Sequence, residues 1–214
     1  MLTRTRNLVF QKQKKLFVTG LLSLMVSAIS ALPAFAETNI SRSFETFLIG
    51  GTSIEGIWKE VSIKGIRDPL GIRRIGFTSF KQTIASKFIT KNGRCHLTSV
   101  TVNFHSNVKV PRWTGAKASS RDVQIYWKAL SSDVERHELD HVLIAEAAIK
   151  KLDQALSALK PRKNCKAFNR KIAQLEKISR NKLNRAQNAF ERKEVRAQNK
   201  RLQKLIAKLS ANNS

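Results

Sequence analysis

Acidic residues are scarce in this chain. Fifteen Asp and Glu stand against 40 Lys and Arg, a formal charge of +25 over 214 residues. Such a balance implies attraction to anionic surfaces: lipid headgroups, envelope polymers or nucleic acid. No aromatic stacking motif or groove-reading motif accompanies the charge, which argues against nucleic acid. Cysteine is limited to Cys95 and Cys165 with no C-x-x-C spacing, which argues against a cysteine zinc site. There is no phosphate-binding loop, no serine or cysteine nucleophile signature, no internal repeat and no low-complexity tract. Glycine and proline are missing from 119–160 and again from 162–214, with Pro161 between them, so two long helices are expected.

Long apolar runs are also rare. The one present, residues 16–32, follows a stretch carrying Arg4, Arg6, Lys12, Lys14 and Lys15 without an acid. Ala34-Phe35-Ala36 follows as a small-x-small cleavage signal. This is the layout of a secretory signal peptide over residues 1–36. The expected product is a single domain, 37–214, with no transmembrane helix after cleavage and a periplasmic or secreted location. Five cations leave with the leader, so a charge of +20 remains. Envelope lipids and polymers are then the natural partners, met through the basic C-terminal helix. Both cysteines lie in the exported portion, where one disulfide closing a long loop is expected, worth about 4 kcal/mol in the chain-entropy model.

Residues 37–43 read as a loose N-terminus. FETFLIG (44–50) reads as a strand before Gly50-Gly51. Residues 52–65 place Ile54, Ile57, Trp58 and Val61 at helical spacing, with Ser53 as cap. Residues 66–72 are a connection. Residues 77–89 and 95–110 read as strands joined by the Asn92-Gly93 turn of a hairpin, and Pro111 ends the second. Helix follows from about 119, and Ser132-x-x-Glu135 is a capping-box candidate. A second helix is expected from about Asn164 to Ser210, with Phe168, Ile172, Leu175, Leu183, Ala186 and Phe190 as a partial apolar stripe. Residues 161–214 hold 16 Lys and Arg against three acids, so the last part of this helix reads as projecting and weakly anchored. Strands before helices predict an α+β fold: a small antiparallel sheet on a motif helix and a long antiparallel return helix.

Two of only four histidines fall in His137-Glu138-Leu139-Asp140-His141. On a helix, histidines four apart share one face. Both imidazoles can then bind one Zn²⁺, while Glu138 takes the proton of a metal-activated water and passes it to the leaving amine. Asp140 is unusual in that position and could instead pair with His137. A catalytic zinc needs a third protein ligand. Glu146 points about 140° away from His141 on a continuous helix and is rejected. If the return helix turns near residue 162, the position facing His137 is about 187, within roughly two turns of Glu191 and Glu194. Glu176 falls about 16 Å short. Glu194 shares a face with Phe190, and His96 and His105 on the strand are further alternatives.

These residues resemble a bacterial domain-of-unknown-function family described as predicted secreted zinc-dependent proteases. The resemblance runs through Phe47 with Gly51-Thr52-Ser53, the Cys95 strand leading to Pro111-Arg112-Trp113, the Trp127 to His137-Glu138-x-x-His141 helix, and Cys165 opening the return helix. It implies a Cys95–Cys165 bridge, a zincin-like fold and metallopeptidase chemistry. Family members place a Tyr-Asp pair and a Thr-x-His-Gly tail on the return helix. Here the matching positions are Phe190-Glu191, and the tail is absent. The resemblance therefore implies Glu191 as third ligand. Asp140, where a small residue is more usual, is a second departure. The expected function is an exported zinc-dependent metalloprotease acting on a protein or peptide substrate in the cell envelope. The alternative is a basic envelope-binding protein with a degenerate zincin site.

Overall fold

The computed structural model describes residues 35–212. Residues 1–34 of the expected leader lie outside the described residues. The elements in chain order are β1 (Phe35–Ile49), α1 (Ile54–Lys64), β2 (Ile66–Arg67), β3 (Arg73–Arg74), β4 (Phe77–Lys91), β5 (Arg94–Trp113), α2 (Arg121–Ser157) and α3 (Cys165–Ala211). The fold is α+β. Among the described residues, no helix is long and apolar enough to cross a membrane.

The main sheet has the order β1-β5-β4 and is mixed rather than antiparallel. β4 and β5 form the expected hairpin, turning at Asn92 (φ 52°) and Gly93 (φ 68°), the left-handed pair that a two-residue connection requires. β1 instead runs parallel to β5, with Ile40 opposite Phe104 and Ile49 opposite Trp113. Residues 37–43, expected to be loose, belong to this strand. Their alternation is masked because they lie at a sheet edge, where Ile40 stays 44% exposed. Parallel pairing needs a long crossover, and α1 through β4 supply it.

The uneven alternation in β5 has a local cause. The β4 register shifts between Lys87 and Phe88, whose partners are Ser99 and Leu97, so Thr98 is an extra residue. This bulge rephases the strand, and Cys95, Leu97, Val100, Val102, Phe104 and Val108 all bury on the helical side. β5 also runs through Pro111 to Trp113. Its last residue paired with β4 is Lys109, opposite Phe77, so the missing proline N–H has no β4 strand to bond there.

α2 lays Ala145, Ile149, Leu152 and Leu156 onto that face, and α3 adds Phe168 and Ile172. Phe88 and Phe168 pack with ring centroids 5.3 Å apart. A second apolar cluster joins Ile49, Ile57 and Val61 to Trp113 and Trp127. Ser53 caps α1, accepting from the Gly56 N–H at 3.0 Å, and Asn164 caps α3, accepting from Ala167 at 2.8 Å. Ser132 caps nothing. α2 already starts at Arg121, so Ser132 and Glu135 stand mid-helix, where Ala129, Leu130 and Val134 bury apolar surface on both sides of the pattern. Cys95 and Cys165 are joined, closing a separation of 70 residues and tying the start of β5 to the first turn of α3. Near the end of α3, Arg201 bonds Asp133 of α2, and Leu202, Leu205, Ile206 and Leu209 beyond it are each partly buried.

Candidate metal centre

The helical hairpin of α2 and α3 places the motif. On α2, Val134, Glu138 and Val142 are buried. His137 and His141 lie beside that line and face α3, with side chains 23% and 13% exposed. α3 returns antiparallel and brings Glu191 to them. Glu191 Oε1 is 2.8 Å from His141 Nε2 and 3.4 Å from His137 Nε2, and the two Nε2 atoms are 3.1 Å apart. Around a tetrahedral zinc with bonds of about 2.0–2.1 Å, donor atoms sit about 3.3 Å apart. These three donors already stand at nearly that spacing. They are the group among the described residues that could hold a metal ion.

The other nitrogen of each ring says more. Gln187 Nε2 donates to the His141 carbonyl at 3.0 Å, which turns Gln187 Oε1 toward His141 Nδ1 at 2.6 Å. An acceptor there puts the His141 proton on Nδ1. His137 Nδ1 faces the Glu194 carboxylate at 3.4 Å, with the same consequence. When both rings are neutral, both Nε2 atoms then present lone pairs toward each other and toward a carboxylate. A cation between them relieves the repulsion, and acceptors behind ligating histidines are the usual support of metal sites. Phe190 packs on both rings at 5.1 and 4.9 Å.

Charge follows this geometry. Burial is the largest influence and opposes charging of His137 and His141, yet Glu191 and Glu138, with Glu194 at His137 and Gln187 at His141, together raise both. The same contacts hold Glu191 well below the usual carboxylate range. Glu138 moves the other way. It is 5% exposed, and burial raises its proton affinity, against an opposing hydrogen bond from Thr78 Oγ1 at 2.7 Å. Gly76 makes room for it: a Cβ there would lie 2.6 Å from Glu138 Oε1.

The remaining sequence candidates are placed elsewhere. Glu194 is buried among cations, bonded to Arg136 and to Arg201 at 2.7 Å, and orients His137 rather than joining the cluster. Asp133 closes this network beneath it. Asp140 pairs with Arg136 at 2.6 Å, not with His137. Glu146 pairs with Arg42 of β1 at 2.7 Å. His96 and His105 alternate with the buried residues of β5 and so face away from α2, His105 held by Ser41 at 2.9 Å and Ser43 at 3.0 Å. Thr78, Gly76 and Gln187 were not singled out from sequence. The helical count reaches position 187, but a glutamine there offers no ligand signal of its own.

A family model described as "Bacterial protein of unknown function (DUF922)" matches residues 44–198. That description corrects the expected family: it names neither a protease nor zinc. No curated protein and no solved structure matches the chain. With most of its length covered by this one model, the chain belongs to the DUF922 family of bacterial proteins of unknown function.

Proposed function

We propose that the protein is an exported, zinc-dependent peptidase in which His137, His141 and Glu191 hold the metal and Glu138 is the general base. The observation that carries this is the convergence of two Nε2 atoms and one carboxylate oxygen within 3.4 Å, each imidazole backed by an acceptor on Nδ1. A bound Zn²⁺ supplies Lewis acidity toward a carbonyl and acidifies water. The rest is the work of the chain. Glu138, next to His137 and braced by Thr78, has the raised proton affinity suited to accepting a proton from water and delivering it to a leaving amine. β4 is an edge strand and carries Thr78 against Glu138, so an extended peptide laid on that edge would reach the base. Peptide bonds of an envelope protein are the proposed substrate, and the leader at 1–36 provides the route there.

Zinc analysis of the purified protein tests the reading. Near-stoichiometric zinc is expected, lost in His137→Ala and kept in Glu138→Gln, with hydrolysis of a peptide probe abolished in both. The lopsided charge of residues 161–214, 16 cations to three acids, favours a second reading. In it the protein binds an anionic envelope surface through α3 and its metal site is degenerate. Wild-type protein that takes up no zinc supports that one and sinks the first.

A further inference from the structure

The hairpin of β2 and β3 holds two apolar side chains in water on a rigid frame. Leu70 is 82% exposed and Ile72 is 49% exposed. The loop between the strands is nevertheless tightly bonded. Asp68 Oδ1 accepts from the N–H groups of Leu70 and Ile72, both at 2.9 Å. The Asp68 N–H donates to the Ile72 carbonyl at 2.9 Å, and that of Gly71 to the Asp68 carbonyl at 2.8 Å. Arg74 Nε donates to the other Asp68 oxygen at 2.9 Å. Leu70 therefore cannot fold back onto the domain without breaking this set, and its exposure is built into the turn.

Cations surround the tip. Residues 65–76 hold Arg67, Arg73 and Arg74 against one acid, Asp68, whose carboxylate is already committed to the loop and to Arg74, while Lys64 at the end of α1 is paired with Glu60. Arg67 Nη1 donates to the Gly71 carbonyl at 3.2 Å, so its guanidinium lies beside the apolar tip. We propose that this hairpin is a membrane-docking element. Leu70 and Ile72 enter the boundary between headgroups and acyl chains of an anionic bilayer, and Arg67 and Arg73 hold the headgroups. A short apolar insertion and a basic collar are each weak anchors, and together they give lasting attachment. Two prongs on a narrow hairpin suit a lipid surface better than a protein partner, which needs a broad contiguous face. The collar also has the sign that anionic headgroups require. None of this rests on the metal reading, because neither Leu70 nor Arg67 touches the histidine cluster.

Cosedimentation of the purified protein with phosphatidylcholine vesicles, with and without phosphatidylglycerol, tests it. Binding is expected only when phosphatidylglycerol is present. Leu70→Ser should weaken it about tenfold and Arg67→Gln about fivefold. Lys200→Gln with Lys204→Gln on α3 should leave it unchanged. Circular dichroism of Leu70→Ser should match wild type, since the side chain supports no core. Binding that is equal on both vesicle types, that survives Leu70→Ser, or that falls in the α3 variant overturns the assignment.

Discussion

Gln187 and His141 meet twice across the helical hairpin. The amide nitrogen of Gln187 donates to the His141 carbonyl at 3.0 Å, and its oxygen faces His141 Nδ1 at 2.6 Å. The first contact fixes the amide, and the fixed amide selects the tautomer. Gln187→Leu should therefore leave the fold intact and weaken zinc binding about 10–100-fold. A competition titration against a zinc indicator measures it. Unchanged affinity would show that the ring needs no support from Gln187.

Gly76 admits no side chain. An added Cβ would stand 2.6 Å from Glu138 Oε1 and 2.8 Å from Val134 Cγ1, both on the buried face of α2. Gly76→Ala should cost about 1–3 kcal/mol in denaturant unfolding. It should also displace the Glu138 carboxylate, so hydrolysis falls while zinc content stays near that of wild type. A variant with normal turnover would separate Glu138 from the chemistry.

Thr78 sets the proton affinity of Glu138. Burial raises that affinity, and the Thr78 hydroxyl pulls it back by bonding the charged form. Thr78→Val removes the donor, so Glu138 should hold its proton to higher pH. The acid limb of the activity profile should then move toward alkaline pH. An unmoved limb in an active variant would assign that limb to another group.

Asp133 should make the protein acid-sensitive. Burial alone would raise its pKa, but the hydrogen bond and charge of Arg201, with the charge of Arg136, bring it below the ordinary value. The folded state thus holds fewer protons than the unfolded one. The resulting stability is fully present above about pH 4 and is lost as pH falls through the lower folded value. Asp133→Asn should cost about 1–3 kcal/mol near neutrality. Its deficit against wild type should shrink on acidification, followed by thermal melts across pH. A deficit that is constant with pH would assign the loss to packing.

The parts of this molecule that depend on sequence-local spacing were readable in advance. His137, Glu138 and His141 follow from a helix period, and Glu191 lies within reach of an antiparallel return counted from Pro161. Non-local pairings were not readable. Nothing in residues 37–43 announces a parallel partner some 60 residues away, because an edge strand need not alternate strongly. Thr78 and Gly76 matter only through contacts with α2, so their local sequence is silent. Asp140 was visible as an oddity, and its partner Arg136 stands four residues earlier on the same helix face; that the same guanidinium also takes Glu194 of α3 is the part no local spacing announces.

The crosslink at Cys165 sits in the first turn of α3, and Glu191 lies mid-helix, some 26 residues or about 39 Å farther along the axis. That bond fixes the start of the helix, and Gln187, Glu194 and Arg201 bond α2 farther along it. A slip of one turn would carry the carboxylate about 5.4 Å past the imidazoles. Closing that bond would thus narrow the registers that α3 can take against α2 before the ligand set assembles.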